Sequence, residues 1–195
     1  MDRFRFILGL LLVIGLPPGL LWWFVVHPFV GFWRRRGVVV TMTAMTIFFI
    51  LGIAGLFSIR TVIMGLDLGF NLILAGLGVW MLVFGFSIAI QRKRHLTGYI
   101  LAGIPEIHVE EEKQGQLLDQ GIYARIRHPR YVEILFFTFG YAAIANFVGP
   151  WIVAALSVPA LHAVVLFEER ELNDRFGEKY GEYSARVPRY IPKFR

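Results

Sequence analysis

Long apolar segments constrain this chain more than any other feature of its sequence. Three of them, residues 6–26, 38–59 and 68–90, each hold about the 20 residues that a helix needs to cross the hydrocarbon core of a bilayer. The chain has 195 residues, of which 56% are hydrophobic and only 17% are charged. A soluble domain is about one-quarter charged. We therefore expect three membrane-spanning helices in the first half of the chain. In the third, Gly76 and Gly78 are small enough to permit close contact with another helix.

Two shorter apolar segments follow, at residues 132–147 and 151–167, and three residues with Gly149 at their centre separate them. Two short helices joined by so tight a turn are typical of a helical hairpin. The sequence therefore predicts an all-α integral membrane protein with five transmembrane helices, the last two forming a short C-terminal hairpin over residues 132–167.

Charged residues divide this predicted architecture into two unequal halves. The loops before residue 91 are minimal, whereas a connection of about forty residues precedes the hairpin and a tail of nearly thirty follows it. A connection this long within a compact protein is usually functional or disordered, and its aromatic residues and glycines argue against disorder. We expect one membrane domain, 1–195, with a three-span scaffold at 1–90 and a charged half at 91–195 that carries the chemistry.

The distribution of basic residues predicts the orientation in the membrane. Seventeen of the twenty Lys and Arg residues lie at 34–36, at 91–130 and in the tail from residue 168. Five spans put these three segments on one side, which the positive-inside rule makes cytosolic. The N-terminus is then outside and the C-terminus cytosolic, in the cell membrane of a prokaryote or the endoplasmic reticulum of a eukaryote. Arg3 and Arg5 lie on the side that this rule disfavours.

The composition also excludes several kinds of chemistry. The chain has no cysteine, so disulfides, thiolate metal sites and cysteine nucleophiles are impossible. Its net charge of +6 comes from short basic segments beside apolar runs, which indicates membrane topology rather than nucleic-acid binding. We expect neither a metal site nor a nucleic-acid partner, and the sequence leaves the oligomeric state open.

The segment 121–131 runs directly into the fourth apolar segment and has two interpretations. Pro129 suits the first turn of a helix, and Arg127, Arg130 and Tyr131 are ordinary anchors at a membrane interface. The start of a helix also presents unpaired N–H groups that favour anions. With His128 beside it, the same segment could bind a carboxylate or a phosphate, and composition alone does not decide between the two.

A second and a third cluster follow the last apolar segment. Glu168 stands at the mouth of the predicted hairpin, and acidic residues near the membrane are candidates for function. A carboxylate in this place would suit a cationic or hydroxylated ligand. Glu171 can instead pair with Arg175 four residues later. The tyrosine-rich segment 176–192 contains Gly177, which predicts a helix end, and we expect this segment to be structural and to cover whatever the other two bind.

The two motifs together resemble the isoprenylcysteine carboxyl methyltransferase family and its prokaryotic relatives. They are G-x-Y-x-x-x-R-H-P-x-Y at residues 121–131 and, after the hairpin, E-E-R-x-L-x-x-x-F-G-x-x-Y-x-x-Y-x-x-x-V-P at residues 168–188. The resemblance extends over residues 115–192, and the first three spans match only in general character.

This resemblance implies that S-adenosylmethionine binds on the cytosolic side, between the hairpin and the tail. It assigns cofactor contacts to His108, Gly115, Gln116, Leu117, Leu118, Tyr123, His128, Pro129, Arg130, Tyr131 and Glu168. It implies a lipophilic methyl acceptor, such as a prenylcysteine carboxylate, that enters from the lipid bilayer. A carboxylate acceptor is already ionised at neutral pH, so positioning and desolvation rather than a general base would carry the reaction.

One position departs from the pattern of the family. The eukaryotic prenylcysteine enzymes carry a basic residue one turn before the first tail glutamate, to hold the substrate carboxylate, and Val164 stands there in this chain. His162, two residues earlier, is either part of the substrate pocket or a hydrogen-bonded residue of the helix bundle. Either Arg127 or Arg170 orients the acceptor instead, or the acceptor is not a prenylcysteine.

Two other functions fit parts of the sequence. Membrane sterol reductases share an Arg-His-Pro-x-Tyr segment and use NADPH, but the Glu168–Glu169 pair and the short chain argue against a site for its 2′-phosphate. A non-catalytic membrane accessory protein on the same scaffold is the other alternative. Binding of S-adenosylhomocysteine or of NADPH distinguishes the three.

Overall fold

The computed structural model describes residues 2–26, 28–93 and 117–193, and within these ranges its regular structure is helical. An isolated β-bridge joins Asp67 and Phe147. The elements in chain order are α1 Arg3–Val26, α2 Val30–Arg36, α3 Val38–Ser58, α4 Arg60–Met64, α5 Leu72–Lys93, a single 3-10 turn Gly121–Ala124, α6 Pro129–Ala145, α7 Val148–Phe176 and α8 Glu178–Arg186.

Four helices are long and apolar enough to cross a membrane: α1, α3, α5 and α7. The all-helical, multi-pass membrane character predicted from the sequence is therefore confirmed. The fifth predicted span corresponds to α6, which has 17 residues, and its crossing of the membrane stays a prediction. The helix α7 has 29 residues and ends at Phe176 rather than at residue 167, so the second motif begins on its last turns.

The helices α5 and α6 run antiparallel in close contact along their length. Arg92 of α5 meets Glu133 of α6 near one end, with Nε and Oε2 2.7 Å apart, and Gly78 meets Gly140 near the other. A Cβ added to Gly78 would lie 2.7 Å from the Gly140 carbonyl oxygen, whereas one added to Gly76 would meet nothing within 4 Å. Close approach therefore requires Gly78 but not Gly76, although the sequence suggested both.

Arg5 belongs to the packed interior at the end of the bundle away from Arg92. Its side chain is buried and donates to both Asp67 carboxylate oxygens, at 2.8 and 2.9 Å, and to the Ala145 carbonyl at 3.1 Å. The Leu68 N–H donates to the Asn146 carbonyl beside this ion pair. Arg5 thus joins the start of α1 to the loop before α5 and the turn before α7, and its charge is neutralised inside the fold.

The C-terminal tail folds back onto the segment that leads into α6. Gly177, at φ +53°, separates α7 from α8, as the sequence predicted. The backbone N–H groups of Arg127 and His128 donate to the carbonyls of Pro188 and Arg189. These bonds hold the Arg-His-Pro segment and the tail side by side at the end of α7.

Candidate cofactor and acceptor pocket

A pocket lies where the start of α6, the end of α7 and the helix α8 meet. The two motifs that are separated by the hairpin in sequence both contribute to its lining. Its lining residues are Trp23, Leu117, Leu118, Tyr123, Arg127, His128, Pro129, Arg130, Tyr131, Glu168, Leu172, Arg175, Phe176, Tyr180 and Tyr183.

His128 occupies the N-cap position of α6, directly before Pro129, which starts the helix as predicted. The imidazole is 3% exposed and lies between two carboxylates. Its Nδ1 is 3.4 Å from Glu168 Oε2 and its Nε2 is 3.1 Å from Glu169 Oε1. Burial alone would lower the pKa of His128, but hydrogen bonds to Glu168 and Glu169 outweigh burial and raise it. The site therefore favours the imidazolium form.

Glu169 connects the Arg-His-Pro segment to the tail. Its carboxylate accepts from Arg127 NH2 at 2.8 Å and from Arg189 NH2 at 2.7 Å, besides its contact with His128. Arg127 also donates to the Ser184 carbonyl at 2.6 Å. The sequence predicts a role for Glu168 but not this connecting role of Glu169, although the two acids are adjacent.

Three buried tyrosines stand on the side of the pocket formed by α8 and the 3-10 turn. Burial raises the pKa of Tyr123, Tyr180 and Tyr183, so all three hydroxyls are neutral near pH 7. The Tyr183 hydroxyl donates to the Tyr123 carbonyl at 2.8 Å. The Tyr180 hydroxyl is buried and has no hydrogen-bond partner in the described part of the chain. Sequence reasoning treated Tyr180 and Tyr183 as structural.

The first half of the chain also contributes to the pocket. Trp23, near the end of α1, is one of the lining residues, and the Arg130 guanidinium lies 4.5 Å from its ring centroid. Such a contact is a cation–π interaction. Sequence reasoning treated this half as scaffold and missed Trp23, because nothing in the apolar run 6–26 distinguishes one aromatic residue from the others.

The structure brings most of the predicted site residues together. Leu117, Leu118, Tyr123, His128, Pro129, Arg130, Tyr131, Glu168 and Arg127 all line the pocket. His108, Gly115 and Gln116 lie outside the described residues. Arg170 is exposed, with its guanidinium 6.0 Å from the Phe167 ring centroid, and is not among the lining residues.

Val164, which stands where the family pattern has a basic residue, belongs to the packed apolar core. Val164 is fully buried against Tyr131 and Leu161. His162 is exposed, and its Nδ1 lies 2.8 Å from the Tyr190 hydroxyl. Of the two interpretations of His162, hydrogen bonding to the tail is the one observed, and His162 does not line the pocket.

A buried ion pair stands behind the pocket, and sequence reasoning missed it. Arg92 donates to both oxygens of the Glu133 carboxylate, at 2.7 and 3.1 Å, and both side chains are buried. Ile122 and Tyr123 pack beside this pair, against Ile88. Across residues 2–26, 28–93 and 117–193, no three His, Asp or Glu side chains gather to hold a metal ion, and a metal-free site stays a prediction.

Comparison with known proteins agrees with the resemblance seen in the motifs. The chain is 31% identical to protein-S-isoprenylcysteine O-methyltransferase B of Arabidopsis thaliana over 130 residues, which are 61% of this chain and 59% of that protein. It is 30% identical to protein-S-isoprenylcysteine O-methyltransferase of Schizosaccharomyces pombe over 100 residues, 49% of this chain and 42% of that protein. It is 28% identical to methanethiol S-methyltransferase 1 of Bradyrhizobium diazoefficiens over 130 residues, 65% of this chain and 43% of that protein.

The chain thus spans between two-fifths and three-fifths of the length of these curated relatives. No solved structure matches it. The family model for phospholipid methyltransferase matches residues 70–179, more than half of the chain. This match includes α5, α6 and α7 and therefore both sides of the pocket. The chain belongs to the phospholipid methyltransferase family.

Proposed function

We propose that this chain transfers a methyl group from S-adenosylmethionine to a lipophilic acceptor, in the pocket between the start of α6 and the end of α7. The observation that carries the proposal is the pocket itself. It is lined both by His128–Tyr131, which precede the hairpin in sequence, and by Glu168, which follows it. The relatives support it, since all three carry the name of a methyltransferase.

The chemistry of the lining residues fits S-adenosylmethionine. The cofactor has an ammonium, a carboxylate and ribose hydroxyls, besides an adenine ring. Glu168 would hold the ammonium or the ribose hydroxyls, and the positive end of the α6 dipole, with the charge of the His128 imidazolium beside it, would attract the carboxylate. Tyr123 and Tyr131 would contact the adenine or the sulfonium. Leu117 and Leu118 would complete the apolar wall, and the resemblance adds His108, Gly115 and Gln116 as further cofactor contacts.

The protein's own part in the reaction is positioning and exclusion of water. S-adenosylmethionine supplies a methyl group already activated on a sulfonium sulfur. The residues of the pocket need only hold the acceptor atom in line with that methyl group, in a site from which water is excluded. A carboxylate acceptor needs no base, whereas a thiol acceptor must first lose its proton.

Arginines are the candidates for orienting the acceptor, and of the two that the sequence suggests, Arg127 lines the pocket and Arg170 does not. Arg127 donates to Glu169 and to the Ser184 carbonyl, so its part would be to hold the shape of the site. Arg130 lies against Trp23 of α1, on the side from which a molecule between membrane helices would arrive. Arg170 would act only on an acceptor that approaches along the outer face of α7.

The proposed arrangement has the cofactor entering from the cytosol and the acceptor from the bilayer. The same arrangement puts the N-terminus outside and the C-terminus in the cytosol. A prenylcysteine carboxylate is one acceptor class that suits an apolar, membrane-bordered pocket. A small thiol is the second, favoured by the buried Val164, which leaves the prenylcysteine enzymes' basic position filled by an apolar side chain.

Calorimetric titration of the detergent-solubilised protein tests the cofactor. We expect S-adenosylhomocysteine to bind, and Glu168→Gln to weaken binding by about tenfold or more, because it removes a charge-assisted hydrogen bond. Glu178→Gln is the matched control, since Glu178 is exposed on α8 and should leave binding unchanged. Binding of NADPH instead would indicate a reductase, and binding of neither ligand would indicate an accessory protein.

Transfer of radiolabelled methyl from S-adenosylmethionine tests the acceptor. Farnesylated cysteine, a short-chain thiol and phosphatidylethanolamine vesicles cover the carboxylate, thiol and amine classes. We expect label in farnesylcysteine or the thiol, and label confined to phosphatidylethanolamine would contradict the acceptor classes proposed here.

A further inference from the structure

Tyr180 and Tyr183 of the helix α8 are equally buried but differ in the hydrogen bonding of their hydroxyls. Both are 4% exposed, both line the pocket, and their ring centroids are 6.1 Å apart. The Tyr183 hydroxyl donates to the Tyr123 carbonyl at 2.8 Å. The Tyr180 hydroxyl, in contrast, contacts no hydrogen-bonding partner among the residues that the structure describes.

A buried hydroxyl without a partner destabilises the fold, because it gives up its bonds to water and gains none in return. Tyr180 packs its ring against Leu172 and Phe176, and a phenylalanine would make the same apolar contacts without that cost. The hydroxyl is therefore better explained by a partner that occupies the pocket than by packing.

The chemistry of that partner follows from the state of the hydroxyl. Burial raises the pKa of Tyr180, and the neighbouring Glu169 carboxylate raises it further. The hydroxyl therefore keeps its proton near pH 7 and can donate it. Glu168 and Glu169 stand on this side of the pocket, so Tyr180 is a neutral donor beside two acids.

We propose that the Tyr180 hydroxyl donates a hydrogen bond to S-adenosylmethionine, which makes α8 part of the cofactor site rather than only its cover. This inference rests on the proposed function. The acceptors that the cofactor offers are its carboxylate, its ribose oxygens and its adenine nitrogens. Binding would then connect the tail to the hairpin, because the same ligand contacts α6, α7 and α8.

The test compares Tyr180→Phe with Tyr183→Phe in the full-length protein in detergent. Calorimetry measures S-adenosylhomocysteine binding, and thermal unfolding without ligand measures stability. We expect Tyr180→Phe to weaken binding by about tenfold while the melting temperature stays the same or rises. Tyr183→Phe should lower the melting temperature, since it leaves the Tyr123 carbonyl without its donor.

Wild-type affinity in Tyr180→Phe would overturn the inference. If its melting temperature then also falls as far as that of Tyr183→Phe, Tyr180 is structural. Failure of the proposed function is a separate result, because the wild-type protein would then bind no S-adenosylhomocysteine at all.

Discussion

Some residues near the pocket hold its shape and others face its interior. The adjacent residues Glu168 and Glu169 illustrate the difference. Glu169 is held by Arg127 and Arg189, which tie the tail to the Arg-His-Pro segment. Glu168 lines the pocket. His128 contacts both carboxylates, so its protonation state couples the structural network to the site.

The pH dependence of stability should report this coupling. The folded-state pKa of His128 is raised above its ordinary value of 6.5. Its contribution to stability is therefore complete below about pH 6.5 and is lost as the pH rises through the folded-state pKa. We expect the melting temperature of the ligand-free protein to fall over that range, and His128→Gln to remove this part of the fall.

His162→Gln is the control for the pH experiment. His162 is exposed and contacts the Tyr190 hydroxyl rather than a carboxylate, so its variant should keep the same decline as the wild-type protein. A His128→Gln variant whose melting temperature falls with pH as steeply as the wild type would show that His128 carries no raised pKa.

At the residue scale, the sequence predicts only those side-chain contacts and site residues that are close together in the chain or belong to a motif. The pair Glu171–Arg175, four residues apart, follows from helical spacing, and the structure has it at 3.1 Å. The pair Arg5–Asp67 joins residues 62 positions apart, and no periodicity connects them. The unpartnered Tyr180 hydroxyl was equally invisible, because a missing bond is a property of packing.

At the scale of elements, α5 and α6 are in close contact along their length. The tightest point of this contact is Gly78 against the backbone of Gly140. The sequence predicted close packing at small residues in apolar helices. It could not distinguish Gly78 from Gly76. The side of α5 that faces α6 depends on the Arg92–Glu133 ion pair and on Gly140, and these three residues lie outside the apolar segment 68–90.

Substitution of these two glycines tests the packing. A Cβ at Gly78 would lie 2.7 Å from the Gly140 oxygen and from Ile144 Cγ1, so the helices must move apart. We expect Gly78→Ala to destabilise the protein by about 1–3 kcal/mol, the usual cost of overpacking. Thermal unfolding in detergent measures the change.

Gly76→Ala is the matched control for this substitution. An added Cβ at Gly76 meets nothing within 4 Å, and alanine favours the helix over glycine. The variant should therefore unfold at the wild-type temperature or slightly above it. Equal destabilisation by both substitutions would mean that α5 packs against α6 in a different rotation.

The boundaries of the elements show where sequence patterns lose information. The apolar run 151–167 predicted a helix end where hydrophobicity ends, but α7 continues to Phe176. Its last turns are charged: Glu171 pairs with Arg175 within them, whereas Glu169 pairs with Arg127 and Arg189 outside the helix. Hydrophobicity describes the length of the membrane segment, whereas Gly177, which the sequence marks as a helix end, determines where α7 stops.

For the whole molecule, the two ends of the bundle have different roles. Arg5, Asp67 and Asn146 meet at one end, where buried polar contacts close the turns. The pocket lies at the other end, where Trp23 of α1 reaches Arg130 of α6. Because Arg5 is neutralised by Asp67, the basic residues that can report on membrane orientation are concentrated at the pocket end.

Orientation in the membrane can be measured directly, since the chain has no cysteine of its own. Single cysteines at Arg35, Phe70 and Glu178 would sample exposed positions on α2, in the loop before α5 and on α8. With five spans, a membrane-impermeant maleimide should label Phe70→Cys in intact cells or sealed right-side-out vesicles. Arg35→Cys and Glu178→Cys should react only after the membrane is opened.

The pairing of Asp67 with Phe147 makes this labelling pattern a test of α6 as well. The bridge holds the loop before α5 and the turn before α7 at one end of the bundle, while Arg92 meets Glu133 toward the other. With five spans, we expect both α5 and α6 to run between the two membrane surfaces. Opposite labelling of Arg35→Cys and Glu178→Cys would imply an odd number of crossings between them, instead of the four made by α3, α5, α6 and α7, and would contradict five spans. Protection of both with Phe70→Cys exposed would place the pocket on the cytosolic side, where a water-soluble cofactor is available.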